Sequence, residues 1–239
     1  MQVRFLATGL FLFGATLLLN AHWASAQQMR MGVPSTPSTQ PAAVGEGAMS
    51  ETARAQTQPA GSAAGKAAAP DFTLKDQNGK AVSLSDYAGK IVVLEWINPE
   101  CPFVQRHYEG KTMQSLADKY DEKGVVWLAI NSTNTASAAS NKAWVEKYDL
   151  KYAILDDSGG KVGKLYGAKT TPHMYIIDRS GRLVYTGGID NDPQGNKQDR
   201  VNYVDQTLQK LTEGQNVELL ETKPYGCSVK YPKGSAQAR

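Results

Sequence analysis

The chain has 239 residues, 41% hydrophobic and 21% charged, with 26 basic and 23 acidic side chains and a net charge of +3. That length allows one or two domains, and the composition is ordinary for a soluble globular protein. A polytopic membrane protein is excluded, because only the N-terminus holds a long apolar run. The near-balance of charge leaves no electrostatic footprint for nucleic acid. Two cysteines and three histidines are too few for a zinc-ribbon array or an iron–sulfur ferredoxin, and no metal or other cofactor is expected.

The first residues have the layout of an export signal: Arg4 supplies charge, Phe5 to Leu19 is largely apolar, and Ala24-Ser25-Ala26 is an A-x-A cleavage site. Residues 1–26 are therefore expected to be removed, leaving a periplasmic or extracellular protein that starts near Gln27. The alternative is a retained anchor, for which the apolar run is short of the ~20 residues a span needs; no other membrane contact is expected. An oxidising compartment would allow the two cysteines to pair. Residues 27–69 contain no aromatic side chain and are dominated by Ala, Gly, Pro, Ser, Thr and Gln. Such a segment buries too little apolar surface to offset its chain entropy, which predicts a disordered tether.

A domain is expected over residues 70–213, followed by a tail, 214–239. Asp71–Leu74 and Ala81–Leu84 are short strands about the Asn78-Gly79 turn. Ile91–Ile97 is apolar except for Glu95 and suits a strand buried on both faces. Pro102–Asp121 has helical periodicity through Val104, Tyr108, Met113, Leu116 and Tyr120. Gly124–Asn131 is a second buried strand, Ser137–Tyr148 an amphipathic helix, Tyr152–Leu155 a strand, and Gly160–Tyr166 a short helix. His173–Asp178 and Leu183–Thr186 flank a turn and predict a hairpin, and Asn196–Thr212 a last helix. The alternation predicts an α/β fold: a central mixed sheet with helices on both faces.

Cys101 carries the chemical signal. It lies where a buried strand gives way to a helix, and Pro102 suits the first helical position. Unpaired N–H groups and the positive end of the helix dipole there favour thiolate over thiol. A small hydrophobe that happens to cap the helix is the bland alternative, though cysteine is a poor cap beside Ser or Asp. Glu95, inside the apolar strand below, is a candidate proton relay or a solvent-facing edge residue; burial would raise its pKa. His107 lies six residues beyond Cys101, about 600° round a helix, so it faces away as a surface or core histidine. Thr171-Pro172 opens the strand at His173, and a plain strand start accounts for it as well as a cis bond does. His173 is a candidate to reach the thiolate, where an imidazolium would lower the thiol pKa further. Asp190–Gly195 imitates the start of an EF-hand loop, but Gln194 and Val201 stand at ligand positions, so a polar loop is the simpler reading.

Several segments together resemble the thioredoxin-like superfamily, and within it the alkyl hydroperoxide reductase/thiol-specific antioxidant (AhpC/TSA, or redoxin) branch. They are Ala69-Pro-Asp-Phe-Thr-Leu74, Leu84-Ser-Asp-Tyr-Ala-Gly-Lys90, the strand ending in Trp96, Asn98-Pro-Glu-Cys-Pro-Phe103 and Thr171-Pro172…Ile177-Asp178…Gly181. The resemblance implies a thioredoxin-like fold, Cys101 as redox nucleophile, and Thr171-Pro172 as a cis-proline loop that holds the partner, with Pro102 and His173 beside it. It also implies that Gly226-Cys227 in the tail is a functional motif. Three positions depart from the pattern. Val104 replaces the second cysteine of C-x-x-C, so no local disulfide can form. Asn98 and Leu94 stand where peroxiredoxins have Thr or Ser and Pro. Arg106 and Arg182 are candidate peroxide donors that solvated faces explain equally well.

Cys227 admits three readings. On a mobile tail it would resolve a mixed disulfide or sulfenic acid on Cys101. In a static Cys101–Cys227 bridge, closing a loop of 126 residues, it would be worth ~4–5 kcal/mol in the chain-entropy model. It would pair between molecules in the third. The expected function is an exported thiol oxidoreductase whose partners are a thiol or disulfide protein or a small thiol donor. The alternatives are a peroxiredoxin-type peroxidase acting on peroxide and a non-catalytic binding module with a static disulfide.

Overall fold

Seven consecutive buried residues, Ile91–Ile97 (β3), form the spine of the molecule. In the computed structural model, which describes residues 67–234, β3 pairs in parallel with β4 (Val125–Asn131) and antiparallel with β7 (His173–Ile177). Neighbours on both sides bury both faces of β3, as its unbroken apolar sequence requires. The full sheet adds β1 (Thr73–Asp76), β2 (Ala81–Ser83), β5 (Ala153–Asp156), β8 (Leu183–Gly187) and β9 (Leu220–Glu221). Its order is β2-β1-β5-β4-β3-β7-β8-β9. Alternate residues of β3 enter two cores. Ile91, Val93 and Ile97 lie under α1 (Pro102–Glu109), α2 (Thr112–Asp121), α3 (Ala138–Tyr148) and α5 (Tyr203–Thr212). Val92, Leu94 and Trp96 pack with Leu84 and with Val162 of α4 (Lys161–Leu165). Helices thus cover both faces of a mixed sheet, as the alternation of elements predicts.

The structure corrects four expectations. The single helix over 102–121 is two, because Gly110 closes α1 and Lys111 takes a left-handed conformation at φ 53° before α2. Apolar periodicity runs across this break without marking it. The last helix begins at Tyr203, where the Asn202 side chain accepts from Asp205 N at 2.8 Å. Residues 195–197 instead give their backbone N–H groups to the Asp192 carboxylate. Among the described residues no cluster of His, Cys, Asp and Glu is placed to hold a metal ion. Order begins before Pro70: Ala68 bridges Arg182, and Ala69 N donates to Gly181 O at 2.9 Å. Backbone pairing of this kind needs no apolar side chain, so composition does not reveal it. The export signal and the tether up to residue 66 lie outside the described residues.

The fourth correction concerns the tail. Residues 214–234 pack against the domain: β9 is the eighth strand of the sheet, and β10 (Cys227–Ser228) pairs with β6 (Thr170–Thr171).

Candidate active site

The turn between β3 and α1 is closed by its own residues. Cys101 N donates to Asn98 O at 2.9 Å, Asn98 Oδ1 accepts from Glu100 N at 2.9 Å, and Gln105 Nε2 donates to Pro99 O at 2.8 Å. Cys101 is the N-cap of α1, and the exposed Pro102 follows at its first position. The β3–β7 register sets Trp96 opposite His173, which delivers the cis Thr171–Pro172 bond to the end of β3. There the Cys101 thiol donates to the Thr171 carbonyl at 3.0 Å.

The tail completes the site. Cys227 pairs with Thr171 in antiparallel register, and its side chain packs against the core cluster that contains Cys101. Both are free thiols. With the tail in place Cys101 is only 1% exposed. Gly226 allows this approach: at φ 126°, an added Cβ would stand 2.0 Å from Thr171 O.

The two sulfurs differ in acidity. Burial pushes the Cys101 pKa up, but hydrogen bonding by the Cys227 thiol, the Thr171 side chain and the backbone N–H groups of Val104 and Cys227 outweighs it, and the net shift is downward. Cys227 is pushed up to about 11 by burial and by its hydrogen bond to, and the charge of, Cys101. Cys101 ionises first, and Cys227 keeps the proton it donates.

Glu95 is wholly buried beneath α1, not at an edge. Its Oε2 accepts from Trp127 Nε1 at 2.8 Å, and Oε1 has no partner in hydrogen-bond geometry. Burial raises its pKa to about 7 against the pull of Trp127 and Tyr108.

His173 is not brought to the sulfur as an imidazolium. Nδ1 lies 3.2 Å from Tyr175 Oη and 3.3 Å from Lys169 N, and Nε2 lies 3.3 Å from Thr186 Oγ1. Burial and the Lys169 charge lower its pKa to about 4, so the ring is neutral at neutral pH and braces the proline loop. Arg106 donates to the Pro193 and Asp192 carbonyls, and Arg182 pairs with Asp178 at 2.6 Å. Both candidate peroxide donors are thus occupied away from Cys101.

Sequence reasoning gives Tyr225 no role, reads His107 as a surface or core histidine and Asp190 as part of a polar loop, and does not connect the three. His107 does face away from Cys101, but toward the tail: its Nε2 is 2.9 Å from Tyr225 Oη, which donates to Asp190 Oδ1 at 2.5 Å. A visible signal existed, since Tyr225 and Tyr231 bracket Cys227 in an otherwise polar segment.

The AhpC/TSA family model matches residues 66–186. The thiol-disulfide oxidoreductase ResA of Bacillus thuringiensis subsp. konkukian is 35% identical over 116 residues, covering 48% of this chain and 65% of that protein. The chloroplastic peroxiredoxin Q of Arabidopsis thaliana is 37% identical over 155 residues, 60% of this chain and 65% of that protein. The chain spans just under two thirds of the length of these curated relatives. Among solved structures, a hypothetical protein of Sinorhizobium meliloti 1021 aligns with a TM-score of 0.64 at 28% identity, over 73% of this chain and 98% of that one. An uncharacterized conserved protein of Geobacillus kaustophilus aligns at 0.63 and 30%, over 72% and 94%.

Proposed function

The chain belongs to the AhpC/TSA family, and we propose that it is an exported, thioredoxin-fold thiol-disulfide oxidoreductase in which Cys101 is the nucleophile and Cys227 resolves. One observation carries this reading: two thiols of unequal acidity, 126 residues apart in sequence, are seated against one cis-proline loop.

The Cys101 thiolate attacks one sulfur of a partner disulfide. The S–S bond breaks, one partner sulfur leaves as thiolate, and the other is held in a mixed disulfide with Cys101. Cys227 then gives its proton to the departed thiolate and attacks the Cys101 sulfur. The Cys101–Cys227 bond forms and the second partner sulfur leaves, so the partner is reduced by two electrons and this chain oxidised by two. A small thiol or thiol protein of the same compartment reverses the change. Charge enforces the order of events. Anionic Cys101 keeps Cys227 protonated, but once Cys101 is in the mixed disulfide that charge is gone, and Lys230 favours ionisation of Cys227. Thr171 and Pro172 present the loop to the partner, Pro102 forms its exposed lip, His173 braces it, and Glu95 is the buried proton store.

The likeness to peroxiredoxin Q raises hydrogen peroxide as a second substrate. The occupation of Arg106 and Arg182 elsewhere argues for the disulfide.

Mass spectrometry after mixing the reduced protein with oxidised glutathione tests the assignment. The parent is expected to lose two hydrogens as Cys101–Cys227 closes, Cys227→Ser to stop at a glutathione adduct on Cys101, and Cys101→Ser to form no adduct at the active site. Rapid consumption of hydrogen peroxide, with no reaction toward disulfides, would instead establish the peroxidase.

A further inference from the structure

The tail crosses the site as a strap pinned at both ends, with Cys227 between the pins. Downstream, Lys230 O accepts from Asn134 N at 2.8 Å and Tyr231 Oη donates to Ala168 O at 2.8 Å. Upstream, Tyr225 enters a pocket between α1 and the loop before α5. Its ring packs on Phe103 and His107 with centroids 6.0 and 6.2 Å away. Its phenol gives its proton to Asp190 Oδ1 at 2.5 Å. The phenol oxygen must therefore accept from His107, which assigns the proton of the neutral ring to Nε2, 2.9 Å distant. Asp190 is 2% exposed, and its other oxygen has only Arg200 Nε nearby, at 3.9 Å. Phe103 and His107 belong to the helix that Cys101 caps. The upstream pin thus ties Cys227 directly to the element that carries the nucleophile.

With the strap down, Cys101 is covered and the backbone edge of Thr171 is taken by Cys227. A partner disulfide can reach neither. Resolution demands the reverse, with Cys227 back against Cys101. The site works only if the strap alternates between the two positions.

We infer that Tyr225 is a positioning residue: held by Asp190 and His107, it latches the strap, and so governs both how often Cys101 is uncovered and how readily Cys227 closes on it. This rests on the reading of Cys101 and Cys227 as a redox pair. A latch made of one phenol–carboxylate bond is strong enough to favour the closed position and weak enough to open repeatedly.

Tyr225→Phe keeps the ring and removes the phenol. Two measurements on the full chain read the latch. In a Cys227→Ser background, alkylation of Cys101 by iodoacetamide, at a pH where the thiolate is fully formed, is expected to quicken by about tenfold or more, the size of one hydrogen bond to a charged group. With Cys227 present, the equilibrium constant for closing Cys101–Cys227 in glutathione buffer is expected to fall by a smaller factor, because a strap that favours the closed position loses far less of its closed fraction than it gains in open fraction. Unfolding curves establish that the variants are native. Should Tyr225→Phe not fold, Asp190→Asn, which keeps an acceptor and removes the charge, supplies both readouts with smaller changes in the same directions. Unchanged alkylation and unchanged closure overturn the latch. If the parent forms no Cys101–Cys227 bond at all, the redox-pair reading fails, and the alkylation rate still decides whether Tyr225 controls access.

Discussion

The turn Asn98–Cys101 and the strap Tyr225–Tyr231 each bring a cysteine to the same proline loop, and they are built in opposite ways. The turn is self-contained: Asn98, Pro99, Glu100, Cys101 and Gln105 bond with one another. The strap makes the contacts that hold it with distant residues, namely Thr171, Lys169, Ala168, Asn134, His107 and Asp190. The position of the proposed nucleophile is therefore fixed by local sequence and by the β3–α1 junction. The position of the proposed resolving thiol is borrowed from four other parts of the chain. Changes in the strap should alter closure while leaving the nucleophile intact.

Gly226→Ala is the severest way to break that contrast. A Cβ there would meet the Thr171 carbonyl at 2.0 Å in a left-handed conformation, and backbone strain alone costs of order 1–3 kcal/mol. The expected result is at least a ~100-fold loss in the Cys101–Cys227 closing constant once the clash is added to the strain, read in glutathione buffer, with Cys101 still forming mixed disulfides. Closure at the parental level would mean that Cys227 does not need its seat on β6.

Glu95→Gln probes the other region. The folded protein holds the Glu95 proton up to about pH 7, whereas the unfolded chain releases it near its ordinary value of ~4.3. Stability of the parent is therefore fully retained below the unfolded value and falls as pH rises toward 7, by up to ~3 kcal/mol. Urea unfolding at pH 5 and pH 8 should find the Gln variant gaining on the parent at the higher pH. A difference that does not vary with pH would show that the carboxyl does not titrate in this window.

Tyr231→Phe should have the mildest consequence. It removes one bond to Ala168 O, worth about 1 kcal/mol, at the pin away from α1. The closing constant should change less than in Tyr225→Phe, measured in the same buffer; an equal or larger change would move the controlling anchor to the pin at Ala168.

The same contrast explains what the sequence discloses. The apolar run Ile91–Ile97, the helix start at Pro102 and the hairpin about Gly181 are local patterns, and the structure has all three. Cys101 is legible as a candidate nucleophile because its setting, strand end before and proline after, lies within a few residues. Resemblance, not periodicity, supplies the proline loop. The latch is hidden because Tyr225, His107 and Asp190 come from a tail, a helix and a loop, joined only by tertiary contact. Histidine at position 173 misleads for a related reason: adjacency to Pro172 in the chain says nothing of which way the ring turns, and it turns toward Tyr175 and Thr186.

The strap has one more consequence, for colloidal behaviour. Residues 220–221 lie along β8 and residues 227–228 along β6, so a single peptide shields two runs of backbone that would otherwise stand unpaired. Bare strand borders invite pairing with other chains. A tail that lifts to admit a partner, as proposed, would bare the border at Thr170–Thr171, where another copy of the protein could compete for it. Loosened variants should thus lose monodispersity as concentration rises, and keeping these molecules apart becomes a second task of the segment that delivers Cys227.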